Sequence, residues 1–367
     1  MTVRWRNPIH ALPFDEPIVN ALAEEFDAQP WPRRMQALRK MAFREIGLVA
    51  SGQARRRVER VPAGVGAMLW VYSWTTVGDA IMDLAPRTLV PSAIDIDLLI
   101  APALAPLFAN DRRLRTVRSD PHALRDDIDF VLLDSLRSTS LRLKAANFPE
   151  LPFASMRGHN AGERFDRAAF ADRRIRQLFG LPSGDVTEPT LDLGDSEGAV
   201  VEDDRFRVAV SLGARVARKR YAFWNEVLRQ LVAEWPKDVL APEFRLIGHG
   251  SSARKDLQKI DPDLVARHGL VQVDSGDLRK AALDVAGCDA FLGVDGGLMH
   301  VAVATGVPGL ALFAHIEPAY FLRPQSTMQA LRCDGEVSEL EPARVAGTFL
   351  AALADFAGAP GPSRRRS

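Results

Sequence analysis

The sequence predicts an α/β protein made of two doubly wound parallel-sheet domains behind a helical N-terminal extension. Three features carry that reading. From Ala67 onward, apolar runs of strand length alternate with longer stretches whose apolar residues recur at helical spacing. A stretch rich in Pro, Gly and acidic residues, 181–205, breaks the alternation once, as an interdomain linker does. Beyond it the alternation restarts and includes an Asp-Gly-Gly turn, Asp295 to Gly297, leading from an apolar strand directly into a helix.

Residues 1–66 stand outside the alternation. They hold several prolines and one helix candidate, about Pro32 to Leu48, with Met35, Leu38, Met41, Ala42 and Ile46 at helical spacing and Arg33, Arg34, Arg39, Lys40 and Arg44 among them. Two readings stand for this basic arm: an amphipathic helix resting on an anionic membrane surface, or an extra helix burying its stripe on the body of the protein. The first domain, 67–180, offers strands at Met68 to Tyr72, Ile94 to Ile100, Phe130 to Asp134 and Leu151 to Ser155. Between them run a loop, Ser73 to Asp79, a helix from there through Leu89, and a helix at Ser138 to Asn147; a third helix, Glu163 to Phe179, ends at Gly180. Such alternation makes a parallel sheet covered by helices.

The second domain, 206–340, repeats the scheme. Strands are expected at Arg207 to Leu212, Phe244 to Ile247, Leu270 to Val273, Ala290 to Val294 and Gly309 to Phe313. Helices are expected at Ala222 to Trp235, Ser252 to His268, Leu278 to Ala286 and Gly297 to Thr305. A last helix, 341–357, is expected to cross back and clasp the domains, ahead of a tail, 358–367. Open parallel sheets bind ligands outside the carboxyl ends of their strands, so two such domains predict a cleft between those ends.

Composition narrows the function. The 367 residues are 47% hydrophobic and 26% charged, which excludes disordered and fibrous proteins and suffices for two cores. Lys+Arg and Asp+Glu balance at 47 each, so no net charge draws the chain to nucleic acid, and no nucleic-acid partner is expected. Cys288 and Cys333 are too few for a disulfide framework and suit a reducing compartment. Arg4, Arg6, Asn7, Pro8 and His10 interrupt the place where a signal peptide needs an apolar core, and no run of about 18 apolar residues occurs. A cytoplasmic location follows as the expectation, peripheral at the inner membrane if the basic arm touches lipid.

The stretch from Ala290 to Phe313 carries the most chemistry. An apolar strand delivers Asp295 to its carboxyl edge, Gly296 and Gly297 allow close backbone approach, and the helix that follows aims free N–H groups and the positive end of its dipole at whatever binds there. A diphosphate fits that geometry. On spacing alone, a tight strand-to-helix connection with Asp295 as helix cap fits equally well.

The run Val294-Asp295-Gly296-Gly297-Leu298-Met299-His300-Val301-Ala302, followed by Gly306-Val307-Pro308 and Ala311-Leu312-Phe313, resembles the C-terminal signature of glycosyltransferase family 9, the ADP-heptose:lipopolysaccharide heptosyltransferases. Ser73-Trp74-Thr75-Thr76-Val77-Gly78-Asp79 is similar to the family's N-terminal loop ending in Gly-Asp, and Gly213 to Trp224, with Lys219-Arg220-Tyr221, to its Lys-x-aromatic segment. The resemblance covers about residues 67–357. It implies a GT-B fold, two Rossmann-like domains facing across a cleft, with the acceptor in the first and the sugar nucleotide in the second. It implies inverting, metal-independent transfer of a sugar, a heptose from ADP-heptose, to a saccharide or glycolipid acceptor such as lipopolysaccharide core, with no cofactor. Asp79 matches the family's base and Lys219 the residue that steadies the leaving diphosphate. Inversion by one displacement calls for such a pair: a carboxylate to take the acceptor proton and a cation for the departing charge. Asp295, Gly296, Gly297, Leu298, His300 and Gly213 then bind the donor, and Ser73, Trp74, Thr76 and Glu317 contact acceptor or sugar. Asp79 as a helix cap and Lys219 as one member of a solvated cluster with Arg215, Arg218 and Arg220 remain the plainer readings of those residues.

Three departures from the family pattern concern the donor. Gly296 stands where a Thr or Ser hydroxyl is usual, Ala314-His315-Ile316-Glu317-Pro318 replaces Gly-Pro-Thr-Asp-Pro, and Gly248-His249-Gly250-Ser251-Ser252 lacks an acid for the ribose. A sugar-nucleotide epimerase or hydrolase, and a catalytically weak nucleotide-sugar-binding protein, are the alternatives these departures leave open. Metal-dependent transfer calls for an Asp-x-Asp at the carboxyl end of a strand. Asp95-Ile96-Asp97 and Asp127-Ile128-Asp129 precede the apolar residues of their strands instead and read as polar strand-entry residues, and His300 has no second His or Cys at ligand spacing. No metal is expected. Trp70 and Trp224 read as core aromatics, and Trp74, in the first loop, as a stacking surface for a sugar.

Overall fold

A computed structural model describes residues 17–123, 127–159, 165–194, 205–249, 255–268 and 270–358. Contacts divide the chain into two compact units: Met1–Thr75 with Met82–Pro189, and Thr76–Ile81 with Thr190–Ser367. Each unit contains one wholly parallel sheet.

In the first unit β1 (Ala67–Tyr72), β2 (Asp95–Ile100), β3 (Thr116–Arg118), β4 (Phe130–Ser135) and β5 (Phe153–Arg157) lie in the order β3-β2-β1-β4-β5. Every residue of β1, β4 and β5 is buried, as expected of strands covered on both faces. β3 was not expected: its three residues show no apolar run. β5 starts at Phe153, two residues later than expected, just past Pro152, which brings no N–H to a ladder. The helix expected through Leu89 ends sooner. It spans α3 (Val77–Asp83) and gives way to a 3-10 turn, Ala85–Leu89, because Pro86 can neither donate to an α-ladder nor fit beneath the preceding turn. Two more helices, α4 (Ala105–Phe108) and α5 (Ser138–Asn147), precede α6 (Arg167–Phe179). Asp166 caps α6 by accepting from the Ala169 N–H, and Gly180 closes it at φ 65°, a left-handed conformation that suits glycine.

The extension is part of this first unit. Helix α1 (Pro17–Asp27), additional to the one helix expected in the extension, precedes α2 (Trp31–Ala50). Beyond α2 the chain runs beside β5: Arg57 bridges Phe153 in parallel, the Val58 N–H donates to the Phe153 carbonyl at 2.9 Å, and the Val61 N–H donates to Leu178 at 2.9 Å. The apolar stripe expected on α2 is divided. Met41 and Leu48 are buried, and Leu48 joins the core with Leu69, Val131 and Phe153, whereas Met35 and Ile46 are exposed.

The second unit holds β6 (Arg205–Ser211), β7 (Ala241–His249), β8 (Val271–Ser275), β9 (Ala290–Val294), β10 (Gly309–Phe313) and β11 (Met328–Arg332) in the order β11-β10-β9-β6-β7-β8. The helices are α7 (Trp224–Ala233), α8 (Pro262–His268), α9 (Leu278–Ala286), α10 (Gly297–Thr305) and α11 (Pro342–Gly358). β11 is a sixth strand where five were expected. At the sheet edge only Met328 and Leu331 of its five residues are buried, so no continuous apolar run marks it. In the last helix, Val345, Phe349, Leu353 and Phe356 of α11 share one core with Val227, Leu228 and Leu231 of α7, all in the second unit. Of the expected linker, 195–204 lies outside the described residues; the contact boundary falls between Pro189 and Thr190. The tail from 359 also lies outside them.

Both sheets have Rossmann strand order, in which the winding reverses between the first and fourth strands. That switch point lies between β1 and β4 in one unit and between β6 and β9 in the other. Loops leaving the carboxyl ends of those strands are therefore where ligand-binding residues belong.

Candidate functional site

The second unit's switch point is flanked by the loops after β6 and β9. Asp295 follows β9, 3% exposed, its N–H bonded to the Leu312 carbonyl at 2.9 Å. Its side chain does not cap α10. Gly296, with extended backbone, is the capping residue and makes no side-chain cap bond, so the helix N-terminus offers backbone N–H groups to an anion. Asp295 instead meets Lys219, from the 3-10 turn Ala217–Lys219 after β6, with Nζ 2.5 Å from Oδ2. Of the clustered cations, Lys219 is turned inward, its side chain 18% exposed, onto the turn that opens α10. Gly296, Gly297 and Leu298 are half-buried at the turn.

One turn into α10, His300 is buried and meets the Phe321 ring edge-on at 5.5 Å, while Phe321 stacks on Phe313 at 6.4 Å. Lys219 Nζ lies 6.0 Å from the centre of the same Phe321 ring. Phe321 thus sits between two expected site residues. The loop rewritten around Glu317 hid it. Glu317 itself is exposed, 3.8 Å from Arg332.

By contacts, Thr76–Ile81 belongs to this second unit. Within the unit Gly78 lies hard against His300: a Cβ at Gly78 would stand 2.2 Å from His300 Cδ2 and 2.6 Å from Nε2. Likewise a Cβ at Gly297 would stand 3.0 Å from Val77 Cβ. The Gly-Asp loop and the Asp-Gly-Gly turn therefore pack together through atoms that only glycines leave room for. Asp79 lies in the first turn of α3, half-buried, and accepts a hydrogen bond from the Thr76 hydroxyl at 2.5 Å; it is the third helical residue, not the cap. Replacing Gly78 by alanine is expected to push His300 off Phe321 and to destabilise the protein by about 1–3 kcal/mol. Urea midpoints check this, and an unchanged midpoint shows that the ring moves freely.

Gly213, after β6, leaves room for an acid that no motif marked. A Cβ there would stand 2.7 Å from Asp256 Oδ2, and Asp256 Oδ1 is held by Lys259 at 2.7 Å. Of the segment following β7, residues 250–254 lie outside the described residues.

The first unit's switch point has its own polar cluster. Ser73 donates to Asp134 Oδ2 from its backbone N–H at 2.8 Å and from its hydroxyl at 2.6 Å, and Ser140 donates to Oδ1 at 2.8 Å. Burial pushes the Asp134 carboxyl up, against these hydrogen bonds. The Ser73 hydroxyl thus anchors its own loop. Trp74 carries the Arg137 guanidinium at 3.7 Å and the Arg167 guanidinium at 5.3 Å from its ring centre, so cations already occupy the stacking distance expected for a sugar. Beneath them Asp83 receives Arg157 at 2.8 Å, Arg167 at 2.8 and 3.0 Å, and the Tyr72 hydroxyl at 3.1 Å. The two Asp-x-Asp sequences are explained by Arg115, which bonds Asp97 at 2.7 and 2.9 Å and Asp127 at 3.0 and 3.2 Å, while Asp129 accepts from the Gly66 and Ala67 N–H groups. These acids tie strand entries together.

Residues 175–336 match the family model of glycosyltransferase family 9 (heptosyltransferase). The chain carries a family 9 glycosyltransferase domain. No curated protein matches it in sequence. Among solved structures, this glycosyltransferase is similar to a family 9 glycosyl transferase from Veillonella parvula, at 14% identity and TM-score 0.62 over 80% of this chain and 98% of that one. It is similar to the E. coli ADP-heptose lipopolysaccharide heptosyltransferase II, at 20% identity and TM-score 0.60 over 79% and 98%. A third likeness is to an E. coli heptosyltransferase solved with ADP, at 14% identity and TM-score 0.57 over 79% and 99%. These likenesses show the GT-B fold. The family match encloses Lys219, Asp295 to His300, Glu317 and Phe321, whereas Asp79 and the rest of its loop precede it.

Proposed function

We propose that this heptosyltransferase-family glycosyltransferase moves a heptose from ADP-heptose to a saccharide acceptor such as lipopolysaccharide core, with inversion and without a metal ion. One observation carries the reading: Lys219 is held 2.5 Å from Asp295 at the mouth of the uncapped α10 helix, where a diphosphate finds a cation and free N–H groups together. Asp79 takes the proton of the acceptor hydroxyl as its oxygen attacks the anomeric carbon. The bond to the diphosphate oxygen breaks on the opposite face, and the ADP leaves with its charge met by Lys219 and the α10 amides. Asp256 supplies the ribose with the acid that the sequence pattern lacked. Support for the donor comes from solved E. coli heptosyltransferases of like fold, which hold ADP and ADP-2-deoxy-2-fluoro heptose. The acceptor being a glycolipid, the enzyme works at the inner-membrane surface, with the basic arm as its contact.

The test is thermal-shift screening with ADP, GDP, UDP and dTDP sugars, followed by turnover. A donor at a hundred times its Kd stabilises the folded state by about 2.7 kcal/mol. Lys219→Ala is expected to lower kcat by about 10²–10³-fold, the usual effect of losing one group that meets developing negative charge. If no nucleotide sugar stabilises the protein the reading falls, and if donor is consumed without acceptor the protein is a hydrolase or epimerase.

A further inference from the structure

Helix α2 buries Met41 and Leu48 on the first unit and leaves a second apolar face uncovered by the described residues: Trp31, Phe43, Ile46 and Val49 are 60–68% exposed, and Met35 is exposed beside them. At about 3.6 residues per turn, Val49 stands five turns along from Trp31 on the same line, and the other three fall within about 120° of it. Exposed apolar groups this concentrated mark an interaction surface. The charge around them has one sign. α2 holds five basic residues and one acid, Glu45, which is taken up by His159 at 2.6 Å and Arg57 at 3.4 Å.

Between α2 and α5 this face opens into a hollow of about 600 Å³. Phe43, Leu48 and Leu141 supply its apolar wall, Arg39, Lys40, Arg44 and Arg142 its cations, and among the described residues no carboxylate lines it. Arg44 is tied inward, to the His159 carbonyl at 2.8 Å. Arg39, Lys40 and Arg142 are exposed. We propose that this hollow seats the headgroup of an anionic phospholipid while Trp31, Met35, Phe43, Ile46 and Val49 enter the bilayer around it. Helices that lie in a membrane interface combine these two features, an apolar face and a basic rim. The inference rests on the membrane contact proposed above and adds where the lipid sits.

The experiment is cosedimentation of the full chain with vesicles of phosphatidylcholine alone and of phosphatidylcholine mixed with phosphatidylglycerol. Wild type is expected to sediment with the mixed vesicles only, less so as salt is raised. Arg39→Gln/Lys40→Gln/Arg142→Gln weakens binding on the order of a hundredfold, and Phe43→Ser/Ile46→Ser by about tenfold or more. All five positions are surface ones outside the catalytic machinery, so donor-induced thermal stabilisation is retained. Arg229→Gln/Lys259→Gln/Arg267→Gln removes the same charge from exposed positions of the second unit and leaves binding unchanged. If wild type binds and the hollow variants bind equally well, the hollow is wrong and the membrane contact stands elsewhere. If wild type binds no vesicle, both fall, while the glycosyltransferase reading keeps its own nucleotide test. If the face instead joins two copies, seen as a dimer in light scattering that the Phe43→Ser/Ile46→Ser variant abolishes, the lipid is overturned in favour of a second chain.

Discussion

Asp79→Ala is expected to lower kcat by about 10²–10⁴-fold while leaving donor affinity near wild type, because a general base acts on the acceptor proton in the transition state and contributes little to holding the nucleotide. On the barrier this is about 2.7–5.5 kcal/mol. The position is suited to the role. Asp79 sits in the first turn of α3, oriented by the Thr76 hydroxyl at 2.5 Å, and its neighbour Gly78 is packed against His300 on α10, the helix proposed to receive the diphosphate. Asp79→Asn keeps the size and the hydrogen bond and should be as inactive as the alanine variant. Donor-induced stabilisation and single-turnover transfer, measured together, separate the outcomes. If the donor stabilises Asp79→Ala as it does wild type but transfer is also unchanged, the base is another group, whereas loss of both means that Asp79 holds the loop rather than the proton.

In the second unit β9 and β10 were legible because they are unbroken apolar runs, and Gly296-Gly297 marks a strand-to-helix turn by backbone need alone. What escaped has physical reasons. β3 is three residues long, and β11 lies at a sheet edge with only two of its five residues buried, so neither shows the pattern of a buried parallel strand. Helical period located α2 correctly but says nothing about which arc packs, and the apolar set spans more than one arc: Met41 turned inward, Met35 and Ile46 outward. The site divides the same way. Lys219 and Asp295 were both marked, but their pairing spans 76 residues and comes only from the strand order that sets β6 beside β9. Trp74 read as a free aromatic because Arg137 and Arg167 reach it from other elements, and Phe321 lies in a stretch with no family pattern left to mark it.

Asp83→Ala is expected to cost about 3–5 kcal/mol of stability, the effect of leaving buried charges uncompensated. Asp83, Arg157 and Arg167 are 3%, 3% and 8% exposed and form one cluster with the Tyr72 hydroxyl. Burial by itself pushes the Asp83 carboxyl up, yet Arg157 and Arg167 outweigh it and leave it lowered. A carboxyl lowered by folding stabilises the protein above its unfolded pKa, about 3.9, and that contribution is lost as pH falls through the folded value. Asp134 works in reverse. Its raised carboxyl disfavours folding at neutral pH, and the penalty is relieved as pH falls through its folded pKa toward the unfolded one. These two buried acids of the first unit therefore give opposite slopes: stability rises on acidification through the Asp134 window and falls below about pH 4, where the unfolded chain takes up a proton that folded Asp83, its carboxyl lowered, still refuses. Urea midpoints of wild type, Asp83→Asn and Asp134→Asn from about pH 7 to about pH 3 separate them, with Asp134→Asn losing the rise and Asp83→Asn losing part of the fall. If Asp83→Asn unfolds at the wild-type midpoint at neutral pH, water reaches the two guanidiniums and the cluster contributes hydration rather than a buried ion pair.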